Sequence, residues 1–449
     1  MTHSDPGTDP PAQTAAAPRA AVHPSVFLVL YLPFGIPGGY VVVTLAYLLS
    51  QAGLSVEQVA GLVALMYLPQ TWKVAWAPII DTTLTLRSWY VISAIVTGVA
   101  LLVTALVPAR AQSLWLLDLL VLASSIAYSV TGMATESLMA HTISEQQQGR
   151  VGGWSQAGSL GGQGLGGGAG LWLAQHAAVW SAGAALGATC LACCAALLAL
   201  PRPPRTQGAL RMQIAHGTGT GHGTHAAHGT LGARRYAAEL LGVGREVWAL
   251  ARSRAGFLVA LLVFMPLGTA AASNLWSPLA RDWHAGADIV ALVTGVLGGV
   301  ISAGGCLLGG YVTDLIDRKA SFALGGVALA LCAVAMGLAP RTPMTFIVFT
   351  SLYSLLSGWV YAAFTGAALE AIGQGAAATK YNVLACLSNI PITYMTLVDG
   401  AARTRWGPAG MLFTEALIGI LAALLFVTVA ALTRPRSRAA GYASRAVQS

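Results

Sequence analysis

The sequence predicts an all-α integral membrane protein with twelve transmembrane helices, arranged as two six-helix pseudo-repeats. Three observations lead to this fold class: 56% of the 449 residues are hydrophobic, only 9% are charged, and the mean hydropathy is +0.68. An ordinary soluble domain carries about a quarter charged residues, so a soluble enzyme and a disordered chain are both excluded. Six cysteines in a chain of this length are too sparse for a disulfide scaffold.

Twelve apolar runs are each long enough to cross a bilayer as a helix, which takes about 20 residues. They lie at 26–49, 57–80, 89–108, 113–137, 150–175, 179–200, 255–279, 288–312, 320–339, 344–368, 380–401 and 408–432. The runs are continuous, whereas the strands of a membrane barrel are segments of about ten residues that alternate in polarity. The spans are therefore predicted to be helices.

The polar segments between these runs divide the chain. Residues 1–24 are rich in Pro, Ala and Thr and lack the features of a signal peptide, so we expect a disordered tail. Residues 201–254 form the longest polar stretch, a cytoplasmic linker that is first rich in His and Gly and then basic. This linker separates a six-helix bundle at 25–200 from a second bundle at 255–433, and a basic tail follows at 434–449.

The positions of the basic residues predict that both termini lie in the cytoplasm. With an even number of spans, eighteen of the 24 basic residues fall on the side of the termini, five fall on the other side, and Lys73 lies within a span. Because positively charged loops stay in the cytoplasm, we expect a multi-pass protein of the cell (inner) membrane. The net charge of +8 is then mostly a topology signal, and no nucleic-acid partner is expected.

The two predicted bundles share a pattern at an offset of 233 positions. Four pairs coincide: Pro33 with Pro266, Gly35 with Gly268, Gly53 with Gly286, and Asp81 with Asp314. Each pair falls at the same place in its half, and the aspartates lie in the loop after the second span. This pattern indicates a duplicated six-helix unit, the arrangement of transporters whose halves rock around a central site.

A loop motif resembles that of a known family. Residues 309–319 read GGYVTDLIDRK, which is similar to the signature G-x-x-x-D followed by basic residues in the major facilitator superfamily. Gly310, Asp314, Arg318 and Lys319 carry the match. The resemblance implies the major facilitator fold over nearly the whole apolar part of the chain. It also implies that this loop latches the cytoplasmic gate.

A second pattern resembles a narrower group of that superfamily. Residues 73–81 read K-x-x-W-x-P-x-x-D, which looks like the peptide/acetyl-CoA transporter group with its muropeptide permeases, and residues 377–391 resemble the same group. Muropeptide permeases are rich in acidic residues at the end of the fourth span. Here Glu136 keeps one such position, while Gly132 and His141 stand at others. The resemblance implies import of a small amphipathic or anionic solute, such as a muropeptide, siderophore or acyl-CoA-like compound.

Charged residues within the apolar runs are candidates for function, because a charge at the bilayer centre costs on the order of 3 kcal/mol. Lys73 is expected to bind an anionic solute or to pair with Glu136, and the alternative is that it snorkels to the interface. Glu136 and Glu370 are candidates for binding a proton, and the alternative is that each caps a neighbouring helix. Asp399 is either an outer gate latch or part of an interfacial ion pair with a nearby arginine.

Other polar residues complete the predicted pathway and gate. The uncharged side chains that could line a cavity, or bond between helices, are Tyr31, Gln70, Gln163, Asn274 and Asn389. Asp81, Asp314 and Arg318 are expected to latch the cytoplasmic side, as the resemblance implies. Asp118 and Glu415 lie early in the fourth and twelfth spans, and the sequence does not place their faces.

Three further motifs have simpler explanations. The G-x-G-x-x-G at 162–167 lacks the strand and the acidic residue of a dinucleotide site, so we expect it to allow close helix packing. The cysteines of CLACC at 190–194 are expected to be buried as small apolar residues rather than to bind zinc. His222, His225 and His228 could bind a metal ion weakly, although a flexible linker is favoured.

Together these features predict a proton-coupled secondary active transporter that works by alternating access, as a monomer and without a cofactor. Its expected partners are a small-molecule solute, protons and the lipid bilayer. No ATP-binding motif is present, and an efflux carrier of the same fold is the open alternative. A membrane-embedded transferase, with His141 near Glu136 as a base, is the alternative from another class, and formation of a new product would identify it.

Overall fold

The structure is a computed structural model that describes residues 23, 25–73, 79–80, 83–142, 148–201, 241–242, 244–245, 248–249, 252–372 and 377–433. Most of the predicted N-terminal tail and linker, and the C-terminal tail, lie outside these residues. So do Asp81 and the three linker histidines. Within the described part the chain is helical and contains no strand, and eight helices are long and apolar enough to cross a membrane.

Among the described residues, the first half contains six long helices, which we number in chain order. They are α1 at Ser25–Gln51, α2 at Val56–Thr71, α3 at Leu86–Leu106, α4 at Leu114–Thr142, α5 at 148–176 and α6 at Val179–Ala199. α2 begins with a capping box, in which Ser55 and Gln58 satisfy each other's backbone N–H groups. α1 and α5 each contain a π-helical stretch, at Tyr40–Leu45 and Leu165–Ala169.

The second half repeats this arrangement. Its helices are α7 at Arg254–Phe264, α8 at 287–315, α9 at Arg318–Leu338, α10 at Pro343–Ile372, α11 at 377–406 and α12 at 408–432. α8 has a π-helical stretch at Ala291–Leu297. α11 and α12 meet at Gly407, where φ is 75° and ψ is −177°. These helices confirm the predicted all-α fold.

Two helices differ from the predicted spans. The run 255–279 is not one helix, because α7 ends at Phe264 and the chain continues irregularly into short helical turns at 271–283. Pro266 lacks an N–H group, and Gly268 and Ala270 have φ angles of 68° and 51°, so the regular hydrogen-bond pattern cannot continue. In the second predicted span, α2 ends at Thr71 instead of running on to residue 80.

Glycines bring α1 and α5 into backbone contact. A Cβ atom on Gly158, Gly162 or Gly166 would lie 2.0–2.4 Å from a carbonyl oxygen of α1. Thr44 of α1 donates hydrogen bonds to the Gly166 and Gly167 carbonyls, at 2.9 and 3.1 Å. Close packing, rather than nucleotide binding, therefore accounts for the glycine-rich motif, as predicted.

Small residues bring the two halves together at two helix crossings. α2 packs against α11, where a Cβ atom on Gly400 would lie 2.4 Å from the Cβ of Ala60. α5 crosses α8 at their π-helical stretches, and a Cβ on Gly295 would lie 2.5 Å from the Gly168 backbone nitrogen. Both contacts use small residues, as is typical of close helix pairs in membranes.

The matched glycines of the two halves have different structural roles. Gly35 lies within α1, where an added Cβ would be 2.0 Å from the Ser159 carbonyl oxygen, whereas Gly268 lies at the break after α7. Gly53 adopts a φ of 89° in the turn after α1, while in the second half His284 takes the left-handed conformation near Gly286. The repeat is therefore a repeat of topology more than of local backbone geometry.

Candidate transport site

A cation, a carboxylate and a phenol meet between α1, α2 and α4. Lys73 follows the end of α2, and its Nζ lies 3.7 Å from Oε1 of Glu136 on α4. The hydroxyl of Tyr31 on α1 donates a hydrogen bond of 2.8 Å to the same carboxylate oxygen. The predicted pairing of Lys73 with Glu136 is therefore present in the structure.

The Lys73–Glu136 pair is neither buried nor fully exposed. The side chain of Lys73 is 12% exposed and that of Glu136 is 28% exposed. At 3.7 Å the Lys73 nitrogen is beyond ordinary hydrogen-bond distance, so the attraction is mainly electrostatic. A solute with an anionic group could reach Lys73 from the accessible side and compete with Glu136 for it.

Aromatic rings fill the space beside this pair. Phe34 of α1 packs edge-on against Tyr31 and Tyr128, with ring centroids 5.3 and 5.4 Å apart. A Cβ atom on Gly132 would lie only 2.8 Å from the Phe34 ring. For a muropeptide permease the sequence resemblance implies an acidic residue at position 132, and here the Phe34 ring packs on the glycine. The wall of the site beside Glu136 is thus aromatic.

Further along α2, polar side chains connect the two halves. The hydroxyl of Tyr67 donates to Oδ1 of Asn274 at 3.0 Å, and Nδ2 of Asn274 donates to Oγ1 of Thr396 on α11, also at 3.0 Å. Asn274 lies in the irregular segment after α7. The structure therefore places this predicted residue in a bridge between the halves.

The other predicted polar residues are more dispersed. Gln70 donates a hydrogen bond to Ser129 of α4, next to the pair of Lys73 and Glu136. The side chain of Gln163 on α5 is exposed, and the backbone at this position packs on Gly39 of α1. Asn389 donates to the Ala385 carbonyl of its own helix at 2.8 Å. Only Gln70 among these three lies beside the charged pair.

The predicted gate loop joins α8 to α9 and packs on α10. Nζ of Lys319 lies 2.6 Å from Oε1 of Glu370, and Nε of Arg318 lies 3.9 Å from the other carboxylate oxygen. Glu370 is 40% exposed, so it forms a surface ion pair within the second half. Asp317 accepts a hydrogen bond from the Ala320 N–H and caps α9. The signature residues therefore tie α9 to α10.

Two details of this loop differ from the expectation. The glycine that allows the helices to approach is Gly309, whose added Cβ would lie 2.4 Å from the Trp359 backbone, whereas Gly310 faces open space. The side chain of Asp314 lies outside the described part of the structure, as does the whole of Asp81. The role of these two aspartates in a gate stays a prediction.

The prediction that Asp399 forms an interfacial ion pair with its nearest arginine, Arg403, is wrong. Arg403 pairs with Asp282 of the segment after α7, through its Nε at 3.0 Å and its terminal nitrogen at 2.7 Å. Asp399 itself is fully buried between helices. One turn of α11 separates the two residues, and this turn directs Arg403 to the loop and Asp399 to the core.

Sequence reasoning did not place a second acid of this half. Glu415 of α12 is 8% exposed and belongs, like Asp399, to the buried acids of the second half. Oε1 of Glu415 accepts hydrogen bonds from the Tyr353 hydroxyl at 2.8 Å and from the Ala272 N–H at 3.2 Å. The signal was present in the sequence as two acids in apolar runs, but the break after α7 that supplies the backbone donor was not predicted.

Comparison with known proteins identifies the family. The Major Facilitator Superfamily model matches residues 25–393. No curated protein matches the sequence. Among solved structures, the chain is similar to the xylose transporter XylE from E. coli in a partially occluded inward open conformation, with 14% identity and a TM-score of 0.66 over 92% of this chain and 98% of that chain.

Two other solved structures are similar at the level of the fold. A D-xylose-proton symporter shares 15% identity with a TM-score of 0.68 over 90% of this chain and 96% of that chain. The nucleoside transporter NupG shares 12% identity with a TM-score of 0.63 over 90% of this chain and 98% of that chain. The family match covers most of the sequence, and the helices and intramembrane polar contacts agree with it. The chain belongs to the Major Facilitator Superfamily, and it is a multi-pass membrane protein and a secondary transporter rather than an enzyme.

Proposed function

We propose that this transporter is proton-coupled and imports a small anionic or amphipathic solute, as a monomer in the cytoplasmic membrane with both termini in the cytoplasm. The observation that carries the proposal is the Lys73–Glu136 ion pair, with Tyr31 bound to the same carboxylate. At this distance, protonation of the carboxylate changes the charge that balances the cation. Binding of a proton and binding of an anion at this site therefore affect each other.

The coupling follows from charge balance. When Glu136 is ionised, it neutralises Lys73 and weakens the attraction of Lys73 for an anion. When Glu136 is protonated, it no longer opposes the charge of Lys73, so the attraction of Lys73 for an anionic group of the solute becomes stronger in this partly dehydrated site. A proton and the solute therefore enter the site together, and the rocking of the two halves carries both across the membrane.

Other residues have supporting roles in this proposal. Tyr31 and Gln70 position the charged pair and its helix, and the Tyr67–Asn274 bridge joins the halves. Gln163 and Asn389 contribute polar groups to the pathway. The two bundles at 25–200 and 255–433 move as units on either side of the linker.

Gating belongs to the loops that follow the second helix of each half. In the proposed gate, Asp81, Asp314 and Arg318 latch the cytoplasmic side, and the Lys319–Glu370 pair holds α9 against α10. Of these contacts, the ion pair of Lys319 with Glu370 is the shortest, at 2.6 Å. Opening of the gate then requires the loop and α10 to move together.

The first experiment is a search for the solute by thermal stabilisation of the purified protein. The probes are muropeptides, ferric siderophores, acyl-CoAs and cationic drugs. A ligand that binds only the folded state stabilises it by about 2.7 kcal/mol at a hundred times its dissociation constant, which shifts the unfolding temperature measurably. We expect an anionic or amphipathic probe to stabilise the wild type and to lose its effect in Lys73→Ala.

The probe found in this way is then used for transport in proteoliposomes. Glu136→Gln should abolish accumulation driven by a proton gradient while it preserves exchange of labelled for unlabelled solute. Glu57→Gln, which changes an exposed carboxylate at the start of α2, is the matched control and should transport normally. Full concentrative uptake by Glu136→Gln would remove this carboxylate from the coupling mechanism.

Efflux is the alternative that the same screen distinguishes. If a cationic drug stabilises the protein equally in the wild type and in Lys73→Ala, the anion-binding role of Lys73 is refuted. Export of that drug from inverted vesicles would then define the direction of transport.

A further inference from the structure

The second half contains a pair of buried acids that the mechanism above does not use. Asp399 on α11 is fully buried, and Glu415 on α12 is 8% exposed. Both acids are connected to the segment 272–274, because Glu415 accepts a hydrogen bond from the Ala272 N–H and Asp399 lies about one helical turn after Thr396, which binds Asn274. Two carboxylates near one buried segment that both carry a charge repel each other, and neutralisation of one of them relieves this repulsion.

The hydrogen bonds distinguish the two acids. Glu415 accepts from the Tyr353 hydroxyl and from the Ala272 N–H through its Oε1 atom, and both bonds favour its ionised form. Among the described residues, neither oxygen of Asp399 has a hydrogen-bond partner, and Oε2 of Glu415 has none either. Asp399 is therefore the acid whose charge is not stabilised by donors.

The groups that face the pair offer no compensating charge. Tyr353 donates its hydroxyl to Glu415 from α10. Glu57 of α2 packs with its Cα beside Gly400, the residue after Asp399. The nearest basic residue along α11 is Arg403, which binds Asp282 with two nitrogens. Within the described part of the chain, no basic side chain forms an ion pair with either acid of the pair.

A narrow cleft runs from the break in α7 to Glu415. Its lining includes Pro266, Gly268 and Ala270 of the break, together with Tyr353 and Glu415. Irregular backbone at membrane depth is stable where it lines a cavity, because water or protein groups satisfy the freed amides and carbonyls. In the proposal below, a proton enters along this cleft, reaches Glu415 first and passes from there to Asp399.

We propose that Asp399 and Glu415 form a second proton-binding site, separate from the Lys73–Glu136 pair, which controls the bridge between the two halves. The site holds one proton, which is bound to the Asp399 carboxylate and is taken from the bulk solution, while Glu415 stays ionised.

The connection to the bridge is short. Glu415 holds the N–H of Ala272, two residues before Asn274, and Asn274 binds Tyr67 of the first half. On the other side, Asp399 lies three residues after Thr396, which accepts the second hydrogen bond of Asn274. Loss of the proton places two negative charges between α11, α12 and this segment. Their repulsion moves the groups that hold Asn274 in place.

This inference rests on the proposed function only for its consequence in transport, because the proton site is measurable without any solute. The experiment is infrared difference spectroscopy of the full-length protein in lipid, with pH steps in H₂O and D₂O. We expect the carbonyl stretch of a protonated buried carboxyl at neutral pH. The band should be lost in Asp399→Asn and should persist in Glu136→Gln.

Hydrogen–deuterium exchange of residues 271–283 reports the link to the bridge. In the wild type, the protection factor of this segment, which is the intrinsic base-catalysed exchange rate divided by the observed rate, should fall as the pH is raised. In Asp399→Asn, which mimics the protonated acid, the protection factor should stay high at every pH. Asp118→Asn is the matched control, because Oδ1 of Asp118 on α4 is also buried without a partner among the described residues. It should leave the exchange of 271–283 unchanged.

Either measurement can overturn the proposal. A carbonyl band that survives unchanged in both Asp399→Asn and Glu415→Gln would show that the pair holds no proton. A pH dependence of exchange in Asp399→Asn equal to that of the wild type would show that the pair does not control the segment. If the band is lost when sodium replaces choline as the cation of the buffer, the pair binds a metal cation instead of a proton. None of these results depends on Glu136, so they are distinct from a failure of the transport test.

Discussion

At the scale of single residues, three acidic side chains lie in three different electrostatic environments. Glu136 is partly exposed beside a lysine, Glu370 is in a surface ion pair, and Asp399 is fully buried without a basic partner among the described residues. In our proposals each environment corresponds to a different role: a site that solute can reach, a latch between helices, and a store for one proton. The chemistry of the side chain is the same in all three.

The contact of Arg403 with Asp282 gives a prediction about stability. Arg403→Ala removes a two-pronged, partly buried ion pair, and hydrogen bonds to charged groups contribute about 1.5–3 kcal/mol. We therefore expect a lower unfolding temperature, measured by fluorescence in detergent. Arg405→Ala, an exposed arginine two residues later, should change it little. Equal unfolding temperatures of the two variants would contradict the importance of the pair.

Prediction from the sequence succeeded for residues that can be recognised one at a time, as a single charge in an apolar run. Lys73 and Glu136 were identifiable because each is a charge in an apolar run, and their proximity required only the general order of the helices. The partnership of Arg403 with Asp282 joins segments 121 positions apart through a helix break, which no local pattern specifies. Glu415 could not be placed for the same reason.

At the scale of helices, the packing of α1 on α5 is set by glycine. Gly166→Ala would place a Cβ 2.0 Å from the Ile36 carbonyl oxygen, which is backbone and cannot move aside. Overpacking of this kind costs about 1–3 kcal/mol or more, so we expect poor folding or a large fall in unfolding temperature, measured by size-exclusion chromatography after heating. Gly161→Ala on the same helix meets only a leucine methyl group at 3.7 Å and is the control.

The junction of α11 with α12 depends on glycine for a different reason. Gly407 has φ 75° and ψ −177°, a conformation essentially reserved for glycine, and its surroundings are open. Gly407→Ala should cost about 1–3 kcal/mol through backbone strain alone. Gly304→Ala, at an equally open position within α8, should be neutral or stabilising. Thermal unfolding of both variants tests this, and a neutral Gly407→Ala would refute the strain.

The sequence predicted most helices but not their interruptions. Hydropathy identifies a span by its length, and it is insensitive to a helix that unwinds inside that span. Pro266 and Gly268 were visible as a repeat signal, yet their counterparts Pro33 and Gly35 lie in a continuous helix. Proline and glycine at matched positions are therefore compatible with a continuous helix or with an interrupted one. The tertiary contacts decide which of the two forms.

At the scale of the whole molecule, polar contacts join the two halves on the side of the molecule where the turn after α1 lies. Ser50 donates to the Pro278 carbonyl at 3.3 Å, and Arg281 donates hydrogen bonds to Gln51. The Tyr67–Asn274 bond lies deeper between the halves. These contacts must break and re-form when access alternates, so they set the balance between the two states.

A double-mutant cycle tests the deeper contact. Tyr67→Phe and Asn274→Ala should couple by about 0.5–1.5 kcal/mol, the usual contribution of a hydrogen bond, in unfolding measurements. Tyr67→Phe combined with Ser302→Ala should be additive, because Ser302 bonds to the Ser354 carbonyl within the second half. Additivity in the first pair would show that the bridge contributes nothing to the association of the halves.

The crossing of α5 and α8 has a mechanical consequence. At Gly168 and Gly295 the two halves come very close: an added Cβ on Gly295 would lie 2.5 Å from the Gly168 backbone nitrogen, and one on Gly168 would lie 2.5 Å from a methyl group of Val296. Helices with long interdigitating side chains must change many rotamers when they tilt, whereas here a glycine surface meets the short side chain of Val296. In the proposed rocking motion, the crossing that holds the halves close therefore resists their rotation little. The polar contacts between the halves then contribute most of the energy barrier to switching.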